Sequence, residues 1–338
     1  MVQRYTRLSQ SALILGTFLI ALLSLGVGTY AMGFVSVVTT LLHPIMHVAP
    51  APSAIEAQII WNVRLPRVLM ALGAGAGLSL CGATLQGVFR NPLVSPHIIG
   101  VSSGAAFGGT LAILLGFGQV GLLCSTFSFG VLALMLVFVI AKLFGQHNRL
   151  VLILAGVILS GLFSALVSLV QFLADTEEVL PNIVFWLLGS VATANWQSLL
   201  TMALPLSLAS VMLLGMRWRI NVLSMGEDDA RVLDVRAHRT RWLVLMLCAV
   251  IIASQVAVSG NIGWIGLVVP HVGRMLVGPD HRRLLPASMS IGASLMMVVD
   301  DLARTITDGE VPLGILTALI GTVLIMVLVY LNRREVLR

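Results

Sequence analysis

His43 and His47 stand four residues apart, the spacing at which two imidazoles on one helix face can hold a metal or a haem iron. Pro44 lies between them and should break the helix such a pair needs, so the pair is read as structural. Asp300 and Asp301 are the only acids near the interior of an apolar run, and no pair of carboxylates with partners is expected there. Cys81, Cys124 and Cys248 lie singly in apolar stretches, without the paired spacing of a zinc site or a disulfide framework. The run Gly73-Ala74-Gly75-Ala76-Gly77 has the glycine content of a phosphate loop but follows no strand. No Gly-x-x-x-x-Gly-Lys-Ser/Thr occurs, and Lys142 is the only lysine, so any ATP hydrolysis belongs to a separate chain. His-Glu-x-x-His is absent, and no nucleophile elbow is expected. An enzyme is therefore not expected, nor a cofactor or metal bound by this chain.

The elements that carry these residues must sit in lipid. Of 338 residues, 58% are hydrophobic and 10% charged, whereas charge makes up about 25% of an ordinary soluble domain. One helical span uses roughly 20 residues, so about ten fit, in one all-α membrane domain covering residues 1–338. A net charge of +6 could suggest nucleic acid, but Lys and Arg sit in short clusters between apolar runs, without aromatic interleaving, so no nucleic acid partner is expected.

Charges mark the span ends, because an ionised side chain at the bilayer centre costs several kcal/mol. Ser11–Met32 is read as an uncleaved first span rather than a signal peptide cut near Ala31. A second span follows Arg64 and Arg67 and ends at Phe89. Two more share the charge-free stretch 91–141, with a turn at Gly116-Phe117-Gly118-Gln119. Leu150–Leu173 makes a fifth. Val179–Met216 is too long for one span and should hold a short interfacial helix, a bend at Ala194-Asn195-Trp196, and a sixth. A seventh ends near Gly260, a short glycine-broken eighth follows, Leu284–Val299 is the ninth and Pro312–Tyr330 the tenth. Glycines four apart, as at Gly73 and Gly77 or Gly100, Gly104 and Gly108, are read as helix-packing positions.

Ten spans put both termini on one side. All Lys and Arg but Arg64, Arg67 and Arg304 then fall on that side, which the positive-inside rule makes cytoplasmic.

Arg64-Leu65-Pro66-Arg67, followed by Gly82-Ala83-Thr84-Leu85-Gln86-Gly87-Val88-Phe89-Arg90-Asn91-Pro92-Leu93, resembles the permeases that import iron siderophores, haem and cobalamin. Three later stretches agree in order: Gly226 to Leu233, Ile265 to Pro286 through Val269-Pro270-His271, and Glu310-Val311-Pro312-Leu313-Gly314 to Gly321. The resemblance implies the type II fold of ATP-binding-cassette importers, with ten spans, in the bacterial inner membrane. Two permease subunits, expected here as a homodimer, enclose one pathway. Two ATP-binding subunits holding ATP and Mg dock inside, and a periplasmic binding protein delivers a metal chelate. Some members carry an oxyanion such as molybdate, and an ion-coupled secondary transporter is the remoter alternative.

By resemblance, the loop at about 217–240 couples to the ATPase through Ser224, Met225, Gly226, Glu227, Asp228, Asp229, Ala230, Arg231 and Leu233. Gly226 suits a tight turn there, and the three acids suit a helix start. Leu233-Asp234-Val235 departs from the usual Leu-Gly-Val ending. The three outward arginines align with positions that grip carboxylates of the binding protein, a task suited to bidentate guanidinium. Asn91, Pro92, Leu93, Arg149 and Leu150 align with the cytoplasmic gate, although Arg149 and Leu150 replace small hydroxyl residues of some relatives. His271 aligns with a packing position.

Overall fold

The computed structural model describes residues 10–46, 52–144, 149–307 and 309–331, and among them the chain is all-helical. His47, Arg4, Arg7, Arg333, Arg334 and Arg338 lie outside the described residues. The helices in order are α1 (Gln10–Gly26), α2 (Phe34–Met46), α3 (Ala54–Gln58), α4 (Leu65–Phe89), α5 (Val101–Leu114), α6 (Gln119–Phe144), α7 (Arg149–Leu173) and α8 (Val179–Leu187). They continue with α9 (Trp196–Gly215), α10 (Arg217–Met225), α11 (Glu227–Val232), α12 (Ala237–Ser259), α13 (Ile265–Val277), α14 (His281–Ala303) and α15 (Leu313–Leu331).

Six helical segments are long and apolar enough to cross a membrane: 54–89, 119–144, 150–173, 196–215, 237–259 and 281–303. The first, third, eighth and tenth expected spans fall on the shorter apolar helices α1, α5, α13 and α15. The turn at Gly116 separates α5 from α6, with Gly116 at φ 67°. Asn195 caps α9, its side chain accepting from Ser198 N at 2.9 Å, which places the bend where the Ala194-Asn195-Trp196 sequence puts it. Helix α2 is a separate element within the first charge-free stretch, and it runs two residues past Pro44, where the proline should have stopped it.

Helix α4 is the centre of the bundle. Its entry is a π-helical turn, Ile59–Arg64, in which Leu65 N donates to Ile60 O, five residues back. Pro66 has no N–H to give and its ring crowds the preceding turn, so a wider local register fits this position. From Pro66 to Phe89 nearly every side chain is buried. Such burial is possible because glycines let neighbouring backbones close in. A Cβ on Gly75 would stand 2.2 Å from Gly292 O of α14, and one on Gly82 would stand 1.8 Å from Gly266 O of α13. Gly104 and Gly108 serve α5 in the same way, against Phe129 O and Ser125 O of α6.

Beyond Phe89 the chain doubles back. Pro96 reaches Gly266, which also approaches Leu78 O, so the 3-10 turn Pro96–Ile99 lies alongside the middle of α4. Helix α5 therefore starts part-way along the bundle, which accounts for its 14 residues, and α13 is as short at 13. Irregular backbone at such depth is tolerated because protein surrounds it. His97 of that turn lies 3.3 Å from Ile262 O, tying it to the segment before α13.

Candidate functional site

At the end of the bundle where α4 begins, Arg64 and Arg67 are three residues apart and share a helix face. Arg67 points at α14: its Nε lies 3.1 Å from both oxygens of Asp300, and its Nη2 lies 2.9 Å from Oδ1. Its Nη1 reaches Glu310 Oε1 at 2.5 Å. Arg304, at the end of α14, donates to Asp301 and to the carbonyl and hydroxyl of Ser24, each of the latter at 2.9 Å, and stands 3.8 Å from Asp300. Ser24 also donates to Asp301 at 2.6 Å. Arg64 donates to Leu25 O at 2.8 Å and to Tyr30 O.

Three guanidiniums and three carboxylates thus close a network that joins α1, α4, α14 and the start of the final helix. It corrects the expectation that Asp300 and Asp301 lack partners: Asp300 is fully buried between two arginines. The three arginines expected to face a partner protein are themselves buried, at 5%, 7% and 8% exposure for Arg64, Arg67 and Arg304. Their bonding partners are groups of their own chain. Glu310, 36% exposed at its side chain, is the member of the network open to solvent.

At the opposite end, α10 and α11 carry the residues expected to couple to an ATPase. Glu227, Asp228 and Asp229 occupy the first turn of α11, where the helix dipole favours acids. Gly226 is not a tight turn: at φ 165°, ψ 170° it is extended, a conformation open to any residue. Its missing side chain matters instead as room, since a Cβ would come 3.2 Å from Asp229 Oδ2. The helix ends by bonds from Asp234 N to Arg231 O at 3.1 Å and from Val235 N to Ala230 O at 2.8 Å, the Schellman pattern. Asp234 holds the left-handed position at φ 53° where glycine is usual, so the departure at Leu233-Asp234-Val235 leaves the helix end intact. Asp234→Gly should therefore raise stability by up to about 1 kcal/mol, read as a higher unfolding temperature in detergent.

Two residues whose roles sequence reasoning passed over hold this element in place, and a third is exposed at its tip. Arg241 of α12, 3% exposed, donates to Glu227 at 2.7 Å. Asn221 of α10 accepts from His281 N at 2.9 Å, fixing α10 to the start of α14. Val232 is 85% exposed and, with Met225 and Leu233, gives the element an apolar tip outside the long apolar helices. Exposed apolar groups rimmed by charge mark a protein contact; the signal available in the sequence was Val232-Leu233 directly after a charged run. Ser224 donates to Asn221 O, Ala230 is buried, and Asp228 and Arg231 pair at 3.6 Å on the surface.

The residues expected at a gate begin at the end of α4, which closes by the same pattern: Arg90 takes φ 51°, Arg90 N donates to Gly87 O and Asn91 N to Gln86 O. Asn91 Oδ1 then accepts from Leu93 N at 2.9 Å, bracing the bend at Pro92. Leu93 and Leu150 are both exposed, at 68% and 65%. Arg149 opens α7, and its side chain lies outside the described residues.

Gly100-Val101-Ser102-Ser103-Gly104 spells Gly-x-Ser-x-Gly, against the expectation of no such elbow, but it opens α5 after a 3-10 turn, and the buried Ser102 hydroxyl has no hydrogen-bond partner among the described residues. Cys81 and Cys248 are buried free thiols, Cys124 is an exposed one, and no group of three metal-ligating side chains occurs among the described residues. His271 bonds Leu267 O within its own helix, and Arg274 bonds Gln86 at 2.6 Å.

A many-helix membrane bundle with a buried ionic staple at one end and a protruding, braced helix pair at the other is the body of a transport permease. The chain belongs to the FecCD transport family, whose family model matches residues 15–331, and it is an importer permease of the ATP-binding-cassette type. It is 52% identical to the molybdate import system permease of Haemophilus influenzae over 93% of each chain. It is 37% identical to the hemin transport system permease of Yersinia pestis, over 92% of this chain and 93% of that one. An inward-facing structure assigned to the metal-chelate type of these transporters matches with TM-score 0.86 and 51% identity, covering 95% of this chain and 98% of that one.

Proposed function

We propose that the cargo is an oxyanion of the molybdate kind. The observation that carries this is the 52% identity to a molybdate permease, against 36–39% for relatives named for iron chelatin, hemin and cobalamin. This reverses the order expected from motifs, which put a metal chelate first. The motifs are shared by permeases of both cargo types and so do not discriminate between them. The metal-chelate reading keeps one specific support, the 51% identical structure assigned to that type.

In the proposed cycle two copies of the chain enclose the pathway in the bacterial inner membrane, with both termini cytoplasmic. Two ATPase subunits carrying ATP and Mg seat on α10 and α11, and the binding protein docks at the opposite end. Asn91-Pro92-Leu93, with Arg149 and Leu150, closes the cytoplasmic side. Docking by Arg64, Arg67 and Arg304 is proposed in a form that respects their burial. A partner's carboxylate exchanges with the solvent-open Glu310 at Arg67, while Arg64 and Arg304 hold the surrounding backbone.

The test is reconstitution of the permease with its ATPase and binding protein in liposomes, offering labelled molybdate, a ferric siderophore, haemin and cobalamin in turn. ATP-dependent accumulation of molybdate is expected. Accumulation of a chelate without molybdate would overturn the cargo assignment, and uptake without ATP would overturn the importer reading.

A further inference from the structure

We propose that the cleft between α10 and the start of α12 binds the headgroup of an anionic glycerophospholipid. A cavity of about 350 Å³ opens there, lined by Trp218, Arg219, Asp234, Arg236, Arg239 and Leu243 among others. A second cavity of about 440 Å³ continues it, sharing Asp234, Arg236 and Arg239 and adding Arg231 and the Glu227–Arg241 pair.

The charge in the first cavity is unbalanced. Arg219, Arg236 and Arg239 are exposed, and none makes an ion pair with a carboxylate among the described residues. Asp234 is the one acid on the lining. Arg241, a neighbour on α12, differs in that Glu227 already holds it. Three guanidiniums directed at one cavity repel each other unless an anion sits among them, and planar guanidinium is suited to phosphate oxygens.

The surroundings choose between a free anion and a lipid. One helical turn beyond Arg239 on the same face of α12 is Leu243, 39% exposed, and one turn further is Met246, 51% exposed. On α9, which packs against α12, Leu208, Val211 and Met212 are 61%, 68% and 51% exposed. An uncovered apolar track therefore leads away from the arginines along the lipid-facing side of the bundle. Trp218, 45% exposed, stands beside the arginines, and tryptophan is enriched at the level of lipid headgroups. A phosphate or molybdate ion would use the guanidiniums and leave the track and the indole unused. A phosphatidylglycerol-type lipid would use all three, its phosphate on the arginines and its acyl chains along Leu243 and Met246.

This inference rests on membrane embedding and on the structure of one chain, and it stands whichever cargo is carried. It also gives Arg219 and Arg239 a role separate from that of α11. Lipid bound there would hold the base of α10 at the membrane surface while the tip of the coupling element contacts its ATPase.

The complete permease with its ATPase, in vesicles of phosphatidylcholine with and without phosphatidylglycerol, provides the test. Native mass spectrometry should find phosphatidylglycerol retained on each permease chain. The Arg219→Gln/Arg239→Gln double variant should bind it roughly 30-fold more weakly, as expected for two surface charges, and the Arg219→Lys/Arg239→Lys variant should keep most of it. Excess inorganic phosphate or molybdate should not displace it. Equal retention by the glutamine variant, or displacement by either free anion, would overturn the proposal. A readout on the unaltered binding site covers the case in which the glutamine variant does not fold. Brominated phosphatidylglycerol should quench tryptophan fluorescence more than brominated phosphatidylcholine, and Trp218→Phe should remove the difference. Equal quenching by the two lipids counts against the site.

Discussion

Replacing Asp300 by alanine should destabilise the folded permease by about 3–5 kcal/mol, the cost of leaving buried charge without its partner. Asp300 is fully buried, and both its oxygens serve Arg67 while one faces Arg304. Removing it strands two guanidiniums in a region where Glu310, Asp301 and the hydroxyl and carbonyl of Ser24 remain to receive them. Asp300→Asn should fall between the two, since the amide keeps the shape and one acceptor but loses the charge. Thermal unfolding of the detergent-solubilised protein measures the series, and an alanine variant that melts with the wild type would show that the network does not hold α4 to α14. The same geometry decides how docking should be tested. Arg67→Glu would place a third carboxylate beside Asp300 and Glu310, so lost docking would be indistinguishable from lost fold. Glu310→Gln is cleaner: its side chain is 36% exposed, the expected loss of stability is below about 1 kcal/mol, and affinity for the binding protein should still change.

The second large effect is expected at the coupling element. Helix α11 is fastened to the bundle by the Glu227–Arg241 pair at 2.7 Å, the buried Ala230 and the closing bond from Val235 N. Arg241 is the buried partner and Glu227 is one-third exposed, so the pair should contribute about 1–3 kcal/mol of coupling in a double-mutant cycle with Glu227→Gln and Arg241→Met. If α11 has the proposed coupling role, losing the pair lets it yield at the extended Gly226 when the ATPases move, and the motion is absorbed before it reaches α12. ATP hydrolysis should then persist while cargo uptake falls, raising the ATP used per molecule transported about tenfold for a loss near 1.4 kcal/mol. Simultaneous liposome uptake and phosphate-release assays give that ratio. A ratio unchanged from wild type in both single variants would mean the pair serves stability alone.

Much of the helical layout was legible because it depends on one-dimensional properties. Charge gaps located the entry of α4, since a charge in lipid is costly wherever the chain later goes, and stretches too long for one span, read with their turn residues, located the Gly116 turn and the bend before α9. The glycine spacing in α5 found true close contacts for the same reason: a missing side chain is a local fact, and α6 makes use of it at Gly104 and Gly108. Helix α2 went unrecognised because nothing charged divides it from α1, and the doubling back after Phe89 went unrecognised because the 3-10 turn at Pro96 has no periodic pattern to betray it.

The chemistry of the three outlying arginines marks where sequence stops. Sequence by itself determined an all-helical membrane permease, the absence of a nucleotide loop, the lopsided distribution of positive charge and the acidic start of α11, all of which follow from residue type and spacing along the chain. The partners of Arg67 are 233 and 243 residues away, and Arg304 bonds a serine 280 residues back. Only the folded bundle brings α1, α4 and α14 to one point, and an arginine's role is set by the nearest carboxylate in space. Tertiary structure therefore decided that these charges are spent within the chain, that Arg241 steadies α11, and that Arg219, Arg236 and Arg239 line a cavity without ion-pair partners among the described residues.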